Sequence, residues 1–193
     1  MPESFTYIDD NFIKTKDAKI SILEPTFTKS DAVYDTVSVL DNQIFRLNDH
    51  LERFENSCNK MHINVNYSKK EISNIAAKCL KLSNYKTAIF MLIGRRGPYK
   101  DLTKRDPRTC KNGLIVTAIP YYNIFGEEKN KYGLKVFISE NKRVPKESIN
   151  AKVKNFNWMD LNIGLFEAYE NKSDTAVLCT PDGNLSEGPG FNI

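Results

Sequence analysis

The sequence is poor in the features that most directly reveal a protein's chemistry. Its four cysteines, Cys58, Cys79, Cys110 and Cys179, lie far apart, with no CxxC pair and no neighbouring histidine pattern. Neither a zinc site nor a redox dithiol is indicated, and the thiols read as reduced and structural. No apolar stretch approaches the roughly 20 residues needed to span a bilayer. Residues 1–12 (MPESFTYIDDNF) lack the basic start and apolar run of a secretory leader. A cytoplasmic protein without membrane contact is expected. Nor is there a block of one charge: 28 basic and 24 acidic residues leave a net charge of +4, mixed along the chain. The densest basic stretches, Arg95–Arg96 and 104–108, are too short for a nucleic-acid footprint. Internal repeats and low-complexity tracts are absent. So are GxGxxG, Walker A, HExxH and GxSxG patterns, which removes the commonest nucleotide, zinc and serine-nucleophile chemistries.

What is present is a chain of 193 residues, 40% hydrophobic, enough to bury a core in one domain or two small ones. Residues 31–40 alternate Val33, Asp35, Val37 and Val39 with the intervening side chains and read as a strand. Asp41-Asn42 reads as a turn, and 43–47 as the returning strand of a hairpin. In 48–61, Leu51, Phe54, Cys58 and Met61 recur at helical spacing, with Asn48 or Asp49 available as the cap and Arg53 off the apolar stripe. A second helix is predicted over 68–82, where Ser68 and Glu71 have capping-box spacing and Ile72, Ile75, Ala76, Cys79 and Leu80 form the stripe. The nearly continuous apolar runs 87–94 and 113–120 predict strands buried on both faces, joined by a polar loop. Residues 121–131 read as a connector, with a domain change near Tyr121. A strand over 132–139, a helix over 160–170, a strand over 175–179 and a turn at Pro181-Asp182-Gly183 follow.

The candidates for chemistry are therefore lysine and carboxylate. Lys154 stands in Ala151-Lys-Val-Lys-Asn-Phe-Asn-Trp158, just ahead of a predicted helix, and Glu187 stands in a Gly-rich bend within 184–193. Singly, each has a plain structural reading. A lysine among 28 basic residues is most often a solvated surface charge, and Lys152 is a near twin of Lys154. Glu187 alone would be a turn carboxylate, and Arg53 alone a helix-surface residue paired with Glu52 or Asp49. For Tyr34, packing competes on nearly equal terms with a pocket role. His50 reads as ordering a helix start, and His62 as a surface residue.

Three segments together are more specific. They are Lys154-Asn155 with the helix after it, the SEGxGxN pattern from Ser186 to Asn192, and Phe45-Arg-Leu-Asn-Asp-His-Leu-Glu-Arg53, which is similar to an FRLxxHLxR helix start. In order and approximate separation they resemble the signature of class IV, pyridoxal-phosphate-dependent aminotransferases, from about Ser21 to Ile193. Within that family, 30–38 (SDAVYDTVS) and Lys154-Asn-Phe-Asn-Trp158 look closest to the (R)-selective amine transaminases, with branched-chain and D-amino-acid transaminases as neighbours. The resemblance implies an α/β (α+β), two-domain, fold type IV architecture. A small N-terminal domain of mixed sheet and helices would span 1–121. The start of a larger cofactor-binding domain would span 122–193, incomplete because the family continues beyond this point. It also implies pyridoxal 5′-phosphate as cofactor, a small-molecule amino donor, a keto-acid acceptor, a homodimer and no metal.

By the same resemblance Lys154 carries the cofactor through a Schiff base and then moves the proton during transfer. Partial burial beside a cationic ring would lower its pKa for that task. Glu187 keeps the pyridine nitrogen protonated, and Arg53 grips the phosphate, which a guanidinium does bidentately. Tyr34, Trp158 and Ile89 are assigned to the substrate pocket. Trp158 stands near the place where the branched-chain branch has a tyrosine. Lys29 and Ile89 stand where the (R)-amine branch has a histidine and an aromatic, so the amino donor stays open. Two other readings also stay open, a lyase of the same fold and a non-catalytic remnant acting as a dimerisation module.

Overall fold

The computed structural model describes residues 3–193. They form two compact units. One comprises the described residues up to Tyr122 together with Lys152–Phe156, the other Asn123–Ala151 and Asn157–Ile193.

The first unit is built on a six-stranded antiparallel sheet in the order β2-β1-β6-β5-β3-β4. In chain order its elements are β1 (Phe5–Ile8), β2 (Asn11–Lys14), the single turn α1 (Pro25–Thr28), β3 (Ala32–Leu40), β4 (Gln43–Ile44), α2 (Leu47–Lys60), α3 (Lys69–Ser83), β5 (Ala88–Arg95) and β6 (Gly113–Pro120). Asp41 and Asn42 both take positive φ, 47° and 64°, the two-residue geometry that matches the twist of a hairpin. The returning strand is shorter than the pattern predicts. Arg46 turns into the left-handed region at φ 46°, and α2 begins at Leu47, with Arg46 rather than Asn48 or Asp49 at its cap and no side-chain cap bond. The α3 cap is as predicted, with Ser68 and Glu71 bonding each other's backbone N–H.

One face of the sheet carries Val33, Val37, Val39, Ala88, Phe90, Leu92, Leu114, Val116 and Ala118. They close a core with Leu51, Phe54 and Cys58 of α2 and Ile72, Ala76 and Cys79 of α3. β5 is buried on nearly all its length, but β6 is not. Its Ile115, Thr117 and Ile119 alternate with the core row and stay half-buried, because α2 and α3 pack on the other face. The two arginines that end this stretch are not surface charges either. Arg95 is buried and pairs with Glu24 at 2.7 Å and with Asp9. Arg96 forks onto Asp31, Nε at 2.9 Å and Nη2 at 3.0 Å, and donates to the carbonyls of Met61 and His62 at 2.6 and 2.7 Å. They tie the N-terminal segment and the end of α2 to the sheet.

The second unit holds α4 (Gly126–Tyr132), β7 (Val136–Lys142), α5 (Met159–Glu170), β8 (Thr175–Cys179), β9 (Leu185–Gly188) and β10 (Phe191–Asn192). Its sheet runs β10-β9-β8-β7, with β7 and β8 parallel and the other pairs antiparallel. The predicted connector contains a helix because Glu127 and Glu128 open it and Lys129 and Lys131 close it, each on the favourable end of the helix dipole. The following strand accordingly starts at Val136, not at residue 132. α5 packs on β7 and β8 through Leu161, Gly164 and Ala168. Its other face is apolar and open, with Met159 and Phe166 78% and 67% exposed. Among the described residues no helix is long and apolar enough to cross a membrane, and no group of three His, Cys, Asp or Glu is placed to hold a metal ion.

Candidate active site

Lys154 reaches the first unit from far along the chain, on the short segment Lys152–Phe156. That segment lies along β3 through an antiparallel bridge between Val33 and Asn155. Alternation along an extended segment decides what each side chain meets. Val153 is 4% exposed and joins the helix-side core, so Lys154 points the other way. Its backbone is held from both sides, the N–H donating to Ser57 Oγ at 3.3 Å and the C=O accepting from Tyr34 N–H at 3.0 Å. The Nζ lies 4.7 Å from the centre of the Tyr34 ring, and that ring stacks on Phe156 with centroids 4.6 Å apart. A cation over an aromatic face is an attractive contact that also keeps the amine directed. Lys152, one alternation earlier, is exposed. The two lysines, which only the motif match told apart in the sequence, are thus placed differently.

Arg53 sits on α2 opposite a charge that the sequence pattern displayed without explaining. Asp35 occupies the inward row of β3 between Val33 and Val37 and is fully buried. Its carboxylate accepts from Arg53 Nε at 2.7 Å and Nη2 at 2.8 Å, and from the Thr36 N–H at 2.8 Å. His50 Nδ1 lies 2.8 Å from the same Oδ1. A carboxylate oxygen only accepts, so this nitrogen carries the proton, and the 3.3 Å approach of Arg53 Nη2 to it is a contact between two donors. The Asp35 hydrogen bonds raise the Arg53 pKa further above its ordinary value. Two of the five guanidinium N–H groups are used on Asp35, and the side chain is 50% exposed. The signal for Asp35 was legible, because a carboxylate in a row of valines needs a buried partner.

The second unit contains Glu187 and Trp158. Glu187 lies on β9, not in an irregular bend, and its Oε1 pairs with Arg143 Nη2 at 2.9 Å. Arg143 also pairs with Asp160, whose carboxylate accepts from the N–H of Val144 at 3.0 Å and of Leu161 at 2.8 Å. Asp160, Arg143 and Glu187 therefore form one chain of charges. Trp158 immediately precedes α5 and packs, partly buried, against the small core formed by Leu161, Ala168 and their neighbours in that unit. Ile89 is 7% exposed, on the sheet face shared with Tyr34. Tyr34 pairs with Ile93, four residues further along β5, so roughly 13 Å of strand separates the two positions. The structure brings Tyr34 and Lys154 into contact; Ile89 stands apart from them on the sheet.

Comparison with known proteins gives the architecture first. The chain superposes on the branched-chain aminotransferase of the archaeon Thermoproteus uzoniensis, solved with norvaline, with a TM-score of 0.83 at 18% identity, over 96% of this chain and 62% of that one. It superposes on the branched-chain amino acid aminotransferase of Thermobaculum terrenum in its PLP form with a TM-score of 0.80 at 19% identity, over 97% of this chain and 62% of that one. The fold is therefore that of these enzymes. In sequence, a protein of Methanocaldococcus jannaschii described as a branched-chain-amino-acid aminotransferase is 28% identical over 188 residues, 97% of this chain and 63% of that protein. The sequence model of class IV amino-transferases matches residues 32–193, and the chain belongs to that family. It spans about 63% of the length of the Methanocaldococcus relative.

Proposed function

We propose that this chain is the lysine-bearing part of a pyridoxal 5′-phosphate-dependent aminotransferase, moving an amino group between an amino acid or amine and a keto acid. One observation carries the reading. The motif lysine, Lys154, has its backbone bonded on both sides and its amine laid on a buried aromatic ring. The donor set fits the cofactor by its chemistry: a directed amine for the aldehyde, unused guanidinium N–H groups on Arg53 for the phosphate, and the second carboxylate oxygen of Glu187 for the ring nitrogen. When bound, the cofactor supplies an aldehyde conjugated to an electron-accepting ring.

The residues divide the remaining work. Lys154 Nζ would hold the cofactor covalently and, as a free amine, would take and return the proton of the donor's α-carbon. Tyr34 and Phe156 hold that nitrogen in place. Glu187 would keep a proton on the ring nitrogen, and Arg143, shared with Asp160, keeps the Glu187 carboxylate oriented. Arg53 binds the phosphate. Trp158 and Ile89 belong on this reading to the substrate pocket. The names of the relatives, which include branched-chain aminotransferases, support an α-amino acid as donor. The family resemblance supports a homodimer, cytoplasmic placement, and a small domain ending at Tyr121 ahead of the larger cofactor-binding domain.

The test is a pair of substitutions in the full-length protein. Lys154→Ala is expected to abolish both amino transfer and the visible absorbance of the lysine-bound cofactor, while Lys152→Ala leaves both. Absorbance that survives Lys154→Ala and vanishes with Lys152→Ala would overturn the assignment.

A further inference from the structure

The first unit contains two arginines that grip an aspartate in the same way and differ in what they do with the rest of the guanidinium. Arg96 places Nε and Nη2 on Asp31 and directs two of its other three N–H groups to the carbonyls of Met61 and His62, with its side chain 9% exposed. That is a core tie, with four of its five N–H groups bonded inside the fold. Arg53 places Nε and Nη2 on Asp35 in the same side-on fork, yet its side chain is 50% exposed and, among the described residues, Nη1 has no hydrogen-bond partner. The aspartate it grips is the more deeply buried of the two, 0% against 19%. It is further fixed by the Thr36 N–H and the His50 ring.

A side-on fork on a rigid carboxylate leaves the guanidinium no free rotation, so the direction of its unused N–H groups is set by Asp35. His50 adds a second constraint on the same oxygen, from one α2 turn before Arg53. A mobile surface arginine would have to be ordered by an incoming anion at an entropic cost; this one is ordered beforehand.

Taking Arg53 as the phosphate anchor of the reading above, we propose that Asp35, steadied by His50, is a positioning residue that pre-aims the Arg53 guanidinium at the cofactor phosphate. Asp35 itself touches no phosphate. Its contribution is selective for the phosphorylated cofactor, because pyridoxal forms the same bond to Lys154 without that group.

The experiment measures the affinities of the full-length protein for pyridoxal 5′-phosphate and for pyridoxal, from the absorbance of the lysine-bound form, with thermal unfolding as the check on folding. Arg53→Gln is expected to lower the preference for the phosphorylated compound at least tenfold. Asp35→Asn, which keeps the shape and removes the charge, is expected to lower it by a similar factor, while pyridoxal binding stays within about twofold. His50→Ala is expected to lower the preference about threefold, and His50→Asn, which again offers an N–H to Asp35, to restore it. An unchanged preference in Arg53→Gln would remove Arg53 as the phosphate anchor. A fall in Arg53→Gln without one in Asp35→Asn would overturn the positioning role alone, as would an equal loss of both compounds in Asp35→Asn. Should Asp35→Asn fail to fold, the His50 pair decides: no change in His50→Ala, or no recovery in His50→Asn, overturns the proposal.

Discussion

Lys154 Nζ lies over the Tyr34 ring at 4.7 Å, and Tyr34 also accepts the Lys154 segment by donating its own backbone N–H to the Lys154 carbonyl at 3.0 Å. One residue of β3 thus fixes both the backbone and the side chain of a lysine far along the sequence. The contact is local to the sheet and independent of any ligand, which makes it testable by folding as well as by activity.

Replacing Tyr34 with Leu removes the ring from both the Lys154 ammonium and Phe156. The cost is expected at about 1–3 kcal/mol of stability, from lost aromatic stacking and the altered volume. Tyr34→Phe keeps both ring contacts and is expected to cost clearly less. Urea unfolding of the two variants measures the difference. Equal losses in both would assign the role to the hydroxyl instead of the ring.

Glu187→Gln is expected to leave cofactor bound while slowing amino transfer about a hundredfold or more, since a neutral amide cannot hold a positive charge on the ring nitrogen. Arg143 retains its pairing with Asp160 in that variant, so the fold should stand. Turnover measured at saturating substrate, beside the cofactor absorbance, is the readout. Wild-type turnover would remove Glu187 from the mechanism.

Gly164 is where helix propensity and packing disagree. Alanine is favoured over glycine inside a helix by about 0.8–1 kcal/mol. A Cβ at this position, however, would stand 2.6 Å from Leu178 Cδ1 and 2.9 Å from Ser139 Oγ. Overpacking of this kind costs about 1–3 kcal/mol. Gly164→Ala is therefore expected to destabilise the protein despite its higher propensity, by up to about 2 kcal/mol. A raised melting temperature would show that α5 can lift off its sheet at little cost.

Burial pushes the Cys58 and Cys79 thiols up to about 12. Their unfolded counterparts ionise near pH 9, so above that point the folded state holds more protons than the unfolded one, and stability falls as pH rises. The fall is about 1.4 kcal/mol per pH unit for each thiol. Well below that point the thiols add no pH dependence. Unfolding measured between about pH 8 and pH 10.5 in the wild type and in Cys58→Ala should show a shallower decline in the variant. A thiol reagent at about pH 8 should label Cys110, which is only partly buried, well before the three buried cysteines. Fast labelling of Cys58 or Cys79 would contradict their placement in the core.

Elements whose signal is local were legible in the chain alone. Alternating valines marked β3, the Asp41-Asn42 pair marked the hairpin turn, and Ser68 with Glu71 marked the start of α3, because spacing, turn chemistry and capping act within a few residues. The three motifs pointed to the family, and with it to the reasons to consider Lys154, Arg53 and Glu187. What stayed undecided depended on partners far along the chain. The end of β4 was set by Arg46 entering the left-handed region so that α2 could lie across the sheet. β6 looked like β5 in composition, yet only its even-numbered row, Leu114, Val116 and Ala118, meets the helices. The motif had singled out Lys154 over Lys152, but what Lys154 touches required its segment to dock on β3, where Val153 enters the core and Lys154 lies over Tyr34. Asp35 showed in the sequence only as a charge in an apolar row. Its meaning came from α2, which brings Arg53 and His50 to the same carboxylate, since a buried charge is stable only where the fold supplies its partners.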